Sequence, residues 1–202
     1  MYVTAVTQKG EIENEIQTIV KLFELGLDML HLRKPNFNER KMEKLIEEIP
    51  STYYDRIVLH GHYSLTSKYK LKGIHMRKSH RSSSLSNTFK KLLMKLRSPG
   101  ILITTSFRSL QSLQENNAQF DYVLLSNVFT DNGHYKSDQD SGVNILKKVV
   151  EASRQKVVGV VALDADNVKV IEAAGFYGAG LPEQIWEPNG FSIPSVQLLL
   201  KL

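Results

Sequence analysis

EIENEIQTIVKLFELGLDMLHLR, residues 11–33, reads as one helix running into one strand. Ile12, Ile16, Ile19, Val20 and Phe23 recur at the three- and four-residue spacing of a helix face, and Gly26 is placed to end it. The period then changes. Met29, His31 and Arg33 fall on one side of a strand, with Leu30 and Leu32 on the other. A strand with a good apolar face thus turns a histidine and an arginine the opposite way, just before Pro35 stops it.

The same alternation runs through the chain. Strand patterns fall at 2–7, 28–33, 56–60, 72–75, 100–105, 121–126, 156–162 and 176–181. Further helices are expected near 38–48, 62–70, 86–97, 108–117, 143–154, 166–174 and 192–201. Asp164, in DADNV, offers an N-cap for the helix after strand seven. The Ser-rich stretch 79–87 and the polar stretch 130–142 read as loops. Strand–helix units in unbroken succession imply a parallel sheet. Eight of them in 202 residues predict the α/β class and one domain, a single (β/α)8 TIM barrel over residues 1–202.

Composition narrows the chemistry. The chain has no cysteine, which excludes disulfides, thiol catalysis and zinc–cysteine sites and suits a reducing cytoplasm. No apolar run approaches the roughly 18 residues of a membrane span. The first residues, MYVTAVTQKG, open as a strand and carry no signal-peptide pattern. The formal charge is +5, and no Asp or Glu stands between Asp55 and Glu115. Such a one-signed stretch favours an anionic partner. Nucleic acid and membrane are not expected as partners, since no recognition motif or stacking pattern accompanies the charge.

In a barrel of this kind, function gathers at the C-terminal ends of the strands. His31 and Arg33 end strand two, with Lys34 next. His60 ends strand three and His62 follows. His75 ends strand four, with Arg77, Lys78 and His80 beyond. Thr104, Thr105 and Ser106 end strand five; Ser126 and Asn127 end strand six, with Thr130, His134 and Lys136 in its loop. All six histidines therefore map to one face. His60 and His62 with His75 or His80 offer donors for zinc or another late transition metal, although no standard spacing supports it, and no metal is expected.

LHLRKP, LHGHYSL, LKGIHM, DYVLLSNVF and DADNVKVIEAAGFYGAG occur in that order over about residues 1–186. Together they resemble successive signatures of the thiamine phosphate synthase / TenI family. The resemblance implies joining of a hydroxymethylpyrimidine pyrophosphate to a thiazole phosphate with loss of pyrophosphate, Mg²⁺ lying on the pyrophosphate. It also implies a phosphorylated small-molecule ligand and leaves a homo-oligomer open, for which the C-terminal segment IPSVQLLLKL offers a contact. The synthase's second-strand motif Gln-Leu-Arg-x-Lys matches His31, Leu32, Arg33, Lys34 and Pro35, with the Arg kept and Lys34 beside the lost Lys. Its metal-binding Asp positions match Gly61 and His80, so both carboxylates are gone.

The same resemblance assigns catalysis to His31, Arg33, His75, Ser106 and Asn127, the last where the tautomerase branch has its catalytic histidine. Substrate binding falls to Lys34, His60, Arg77, Lys78, Thr105, Ser126, Thr130, Lys136, Gly178 and Gly180. The last two belong to the phosphate turn after strand eight, where Pro182 removes one N–H donor. With the acids missing, the expectation is a divergent member needing no cofactor, with Mg²⁺ required only if synthase activity is retained. A metal-free tautomerase-type enzyme and a non-catalytic phosphate-binding barrel are the alternatives.

Overall fold

The computed structural model describes residues 1–78, 85–126, 139–160, 165–181 and 183–186. Within them β1 (Tyr2–Val6), β2 (Met29–Leu32), β3 (Ile57–Leu59) and β4 (Gly73–Met76) are followed by β5 (Leu102–Phe107), β6 (Tyr122–Leu125), β7 (Val157–Val160) and β8 (Gly178–Leu181). Each strand lies parallel to the next, and β1 pairs with β8, so the sheet closes into a barrel. Helices α1 (Glu15–Glu24), α2 (Glu39–Glu48), α3 (Ser64–Lys68), α4 (Leu85–Arg97), α5 (Leu110–Gln114), α6 (Gln139–Ser153) and α7 (Ala165–Ala173) alternate with the strands. The expected (β/α)8 architecture is what the chain adopts. No helix among the described residues is long and apolar enough to cross a membrane.

Gly26 ends α1 as its position suggested. It sits at φ 108, and the N–H groups of Gly26 and Leu27 close back on the carbonyls of Phe23 and Leu22 at 3.1 and 3.0 Å. Asn38 caps α2 by accepting the Lys41 N–H at 2.9 Å. β5 lies two residues later than its apolar run suggested, because Ser98–Gly100 makes a turn, with Gly100 at φ 85 and Ile101 N–H on the Ser98 carbonyl. That shift brings Ser106 inside the strand. α6 begins at Gln139, within the stretch read as loop, and a 3-10 turn at Ser51–Arg56 precedes β3. The helix expected at 192–201 and the cap at Asp164 lie outside the described residues.

Alternation along each strand sorts the core into two layers. Leu30, Leu32, Ile57, Leu59, Ala179 and Leu181 pack outward with Ile19, Leu22, Met42 and Ile46 of α1 and α2. Ile74, Ile103, Val123, Leu125 and Val157 do the same on the opposite side. The complementary positions fill the barrel, where Tyr122, Leu124 and Val158 pack with Tyr2, Val6, Leu102 and Val160. Two aspartates pin strand starts. Asp28 accepts the Val3 N–H and Asp121 the Ile103 N–H, each at 2.7 Å.

Barrel closure leaves no room at Gly178. A methyl group there would stand 2.0 Å from the Tyr2 carbonyl oxygen, which is backbone and cannot swing aside. Gly178→Ala is therefore expected to lower stability toward the upper end of the ~1–3 kcal/mol range for overpacking, by forcing β1 and β8 apart. Urea unfolding measures it, and a loss under about 0.5 kcal/mol would refute the close approach.

Candidate functional site at the barrel mouth

The inward-facing residues at the ends of β2, β3 and β4 are histidines, and the barrel brings their rings together. His31 Nδ1 lies 2.9 Å from His60 Nε2, and the rings of His60 and His75 stack in parallel at 3.9 Å between centroids. His31 meets His75 edge-on at 5.4 Å. His31 and His75 are buried, and His60 is half-buried at the open side.

Each deep ring is oriented from behind. His31 Nε2 is 2.6 Å from the hydroxyl of Tyr122, and His75 Nδ1 is 2.9 Å from that of Thr104. The sheet register sets this up, because His75 pairs with Thr104 across β4 and β5, and Thr104 pairs with Tyr122 across β5 and β6. Tyr63 adds a hydroxyl donated to the His75 carbonyl at 2.8 Å.

Burial, then proximity to His75, holds His31 well below the ordinary imidazole range. Burial, the other two rings, Arg33 and Arg77 do the same to His60. Burial and then Arg33 push His75 down to about 3. All three rings are therefore neutral at neutral pH. They are weak bases for proton abstraction but retain ring lone pairs.

Arg33 stands at the rim. A single hydroxyl, that of Thr7, accepts the Arg33 N–H at 2.8 Å and donates to the Arg33 carbonyl at 3.2 Å, fixing the end of β2 to that of β1. Arg77 is exposed after β4, its guanidinium close over Gly61, and Lys78 is exposed beside it. Ser106 is exposed on the Thr104 face of β5, and Ser126 donates to the Phe107 carbonyl at 3.2 Å. His31, Arg33, His60, His75, Arg77, Ser106 and Ser126 thus share the C-terminal end of the barrel.

Other candidates lie elsewhere. Lys34 turns outward into a buried ion pair with Glu15 at 2.7 Å and bonds the Gly10 carbonyl, so its charge is matched within the chain. Thr105 faces away from the axis and donates to the Met76 carbonyl at 2.9 Å. Gly178 opens β8 at the closed end of the barrel, opposite Tyr2, and Gly180 is buried in the same ladder, opposite Thr4. Neither presents a free turn to a phosphate. His62 bonds the Phe37 carbonyl at 2.8 Å instead of joining the other rings. Asn127, Thr130, Lys136, His80 and His134 lie outside the described residues.

Sequence reasoning passed over Tyr122 and gave Thr104 no role. The signal for Tyr122 was present, since alternation in DYVLLS puts Tyr122, Leu124 and Ser126 on the axis. The acid-free stretch is also less one-sided in space. Lys68 pairs with Glu43 at 2.6 Å, Lys95 with Asp121 at 2.8 Å, and Arg56 lies over the Phe23 ring.

The Mg²⁺ implied by the resemblance does not fit these donors. Mg²⁺ takes hard oxygen ligands, usually carboxylates. The described mouth residues offer imidazoles, hydroxyls and guanidiniums, and no acid occurs between Asp55 and Glu115.

Comparison with known proteins is consistent in one direction. The sequence profile of the family described as Thiamine monophosphate synthase matches residues 3–184. A curated relative from Aquifex aeolicus (strain VF5), carried under the name of a candidate thiamine-phosphate synthase 2, is 23% identical over 179 residues, covering 86% of this chain and 91% of that one. A thiamine phosphate pyrophosphorylase structure from Bacteroides thetaiotaomicron is 26% identical with a TM-score of 0.70, covering 100% of this chain and 94% of that one. One from Pyrococcus furiosus, at 15% identity and TM-score 0.67 over 98% and 95% of the two chains, shares the fold.

Proposed function

The chain belongs to the thiamine monophosphate synthase family, and we propose that its barrel mouth binds a phosphorylated heterocycle of the kind joined in thiamine phosphate synthesis. The observation that carries this reading is the pairing of Arg33 and Arg77 with the neutral His31, His60 and His75 cluster. A guanidinium meets a phosphate through two parallel N–H donors, which fixes orientation as well as charge. The imidazoles beside it supply directional hydrogen bonds to a heteroaromatic ring without adding charge. The reaction class is the synthase's own, carbon–nitrogen bond formation with loss of pyrophosphate, in a form without carboxylate-held Mg²⁺. Tautomerase-type proton transfer has less support. A general base works best with a pKa near the working pH, and all three rings are held below the ordinary imidazole range.

The test is thermal stability of the purified protein with thiazole phosphate, thiamine phosphate or pyrophosphate, each with and without Mg²⁺. A ligand at about 100 times its Kd adds roughly 2.7 kcal/mol to the folded state. We expect a rise in Tm with thiazole phosphate and thiamine phosphate that is independent of Mg²⁺ and lost in Arg33→Ala. No rise with any of the three would overturn the reading. Binding without formation of thiamine phosphate from the two precursors would keep the ligand class and remove the activity.

A further inference from the structure

Three side chains from three consecutive strands converge on one point inside the barrel. From this geometry we infer that His31, His60 and His75 form a binding site for a divalent late transition metal of the zinc class, with its open position toward the mouth. One ligating nitrogen from each ring can be chosen so that all three lie within 4.8 Å of one another. Imidazole nitrogens at the 2.0–2.1 Å bond length of a tetrahedral zinc stand about 3.3 Å apart. His31 Nδ1 and His60 Nε2 are already 2.9 Å apart, but His60 lies stacked in parallel on His75 and in-plane lone pairs of stacked rings do not meet at one point, so the His60 ring must turn out of the stack for all three nitrogens to share an ion.

The surroundings select the right nitrogens. His75 presents Nδ1 to the Thr104 hydroxyl, which leaves Nε2 for an ion. His31 presents Nε2 to the Tyr122 hydroxyl, and in the tautomer that donates there, Nδ1 is a lone pair aimed at the cluster. A metal-bound histidine commonly donates its second ring nitrogen to such a partner, and that bond fixes both tautomer and orientation. His60, half-buried and hydrogen-bonded through Nε2 to His31, is the ring that can turn as an ion enters.

Three imidazoles without a carboxylate suit zinc, copper or nickel and not Mg²⁺ or Ca²⁺. Arg33 and Arg77 nearby oppose a bare dication, so the remaining coordination position takes an anionic ligand. The inference goes beyond the proposed function and does not depend on it, since it concerns the metal alone.

The experiment is titration of chelator-stripped protein with Zn²⁺ by calorimetry, and with Co²⁺ by visible absorption, with no phosphorylated ligand present. The expected result is one ion per chain and a Co²⁺ spectrum of a four-coordinate nitrogen-rich site. His60→Ala, the change at the half-buried ring, should weaken Zn²⁺ binding by more than about 100-fold, and Thr104→Val by about 10- to 100-fold, the range for lost orienting partners. His62→Ala serves as the control and should leave affinity unchanged. Circular dichroism establishes that each variant is folded. Failure of the stripped protein to take up added Zn²⁺, or equal affinity in His60→Ala and wild type, would overturn the site and leave a hydrogen-bonded histidine cluster.

Discussion

Lowering the pH from 6.5 to 4.5 is expected to remove about 2 kcal/mol of folding free energy through His75 alone. The unfolded chain takes up that proton near pH 6.5, whereas the folded chain holds the ring neutral down to about 3. Across this window the unfolded state binds more protons, so stability rises with pH and is lost as pH falls. His31 and His60 are displaced in the same direction by the same burial, and each adds to the loss. The barrel should therefore unfold in mild acid well before its surface carboxylates dominate. Urea unfolding with a chelator present, from pH 7.5 to 4.5, measures the slope. His75→Gln should reduce proton uptake on unfolding near pH 5 by about one, because one buried neutral imidazole has gone. An unchanged slope would mean that the ring protonates freely in the folded protein.

The histidines show what a sequence yields and what it withholds. The positions of His31, His60 and His75 at strand ends follow from alternation and from the barrel, so these three can be assigned to one face from the sequence. Which of them touch cannot. The partners of His31 lie 29 and 91 residues away, and contact depends on the register of each strand against the next. His60 and His62 look equivalent in LHGHYS, yet His62 sits at φ 48 and turns its ring to the Phe37 carbonyl. The two-residue displacement of β5 has a similar origin: Ile101, Leu102 and Ile103 are all apolar, and the turn at Ser98–Gly100 decides where pairing starts. Gly178 and Gly180 show the converse, a placement in the fold that the motif alone does not give. They resembled a phosphate turn, but strand pairing consumes their backbone, and the lack of a side chain at Gly178 serves close approach to Tyr2.

Lys34→Met is expected to cost about 3–5 kcal/mol, the range for breaking a buried ion pair by removing one partner. Lys34 is adjacent to Arg33, and the resemblance makes it a substrate contact, but alternation that sends residue 33 inward sends residue 34 outward. There its side chain is 0% exposed, 2.7 Å from Glu15, whose side chain is 6% exposed. Burial already pushes the Glu15 carboxyl up, and only the Lys34 ammonium opposes this. Without it, Glu15 is a buried charge with no counter-ion, and its carboxyl shifts further upward. A carboxyl raised above its unfolded value favours folding less as pH rises, so the loss in Lys34→Met should be larger at pH 8 than at pH 5. The consequence reaches the site, because the same ammonium bonds the Gly10 carbonyl and ties the β1–α1 connection to the end of β2 that carries Arg33. Denaturant unfolding of Lys34→Met, Glu15→Gln and the double variant would measure the coupling. The double variant should recover most of the loss, since it removes both charges together. If Lys34→Met costs less than about 1 kcal/mol at pH 7, water reaches the pair and Lys34 is free to move toward the mouth.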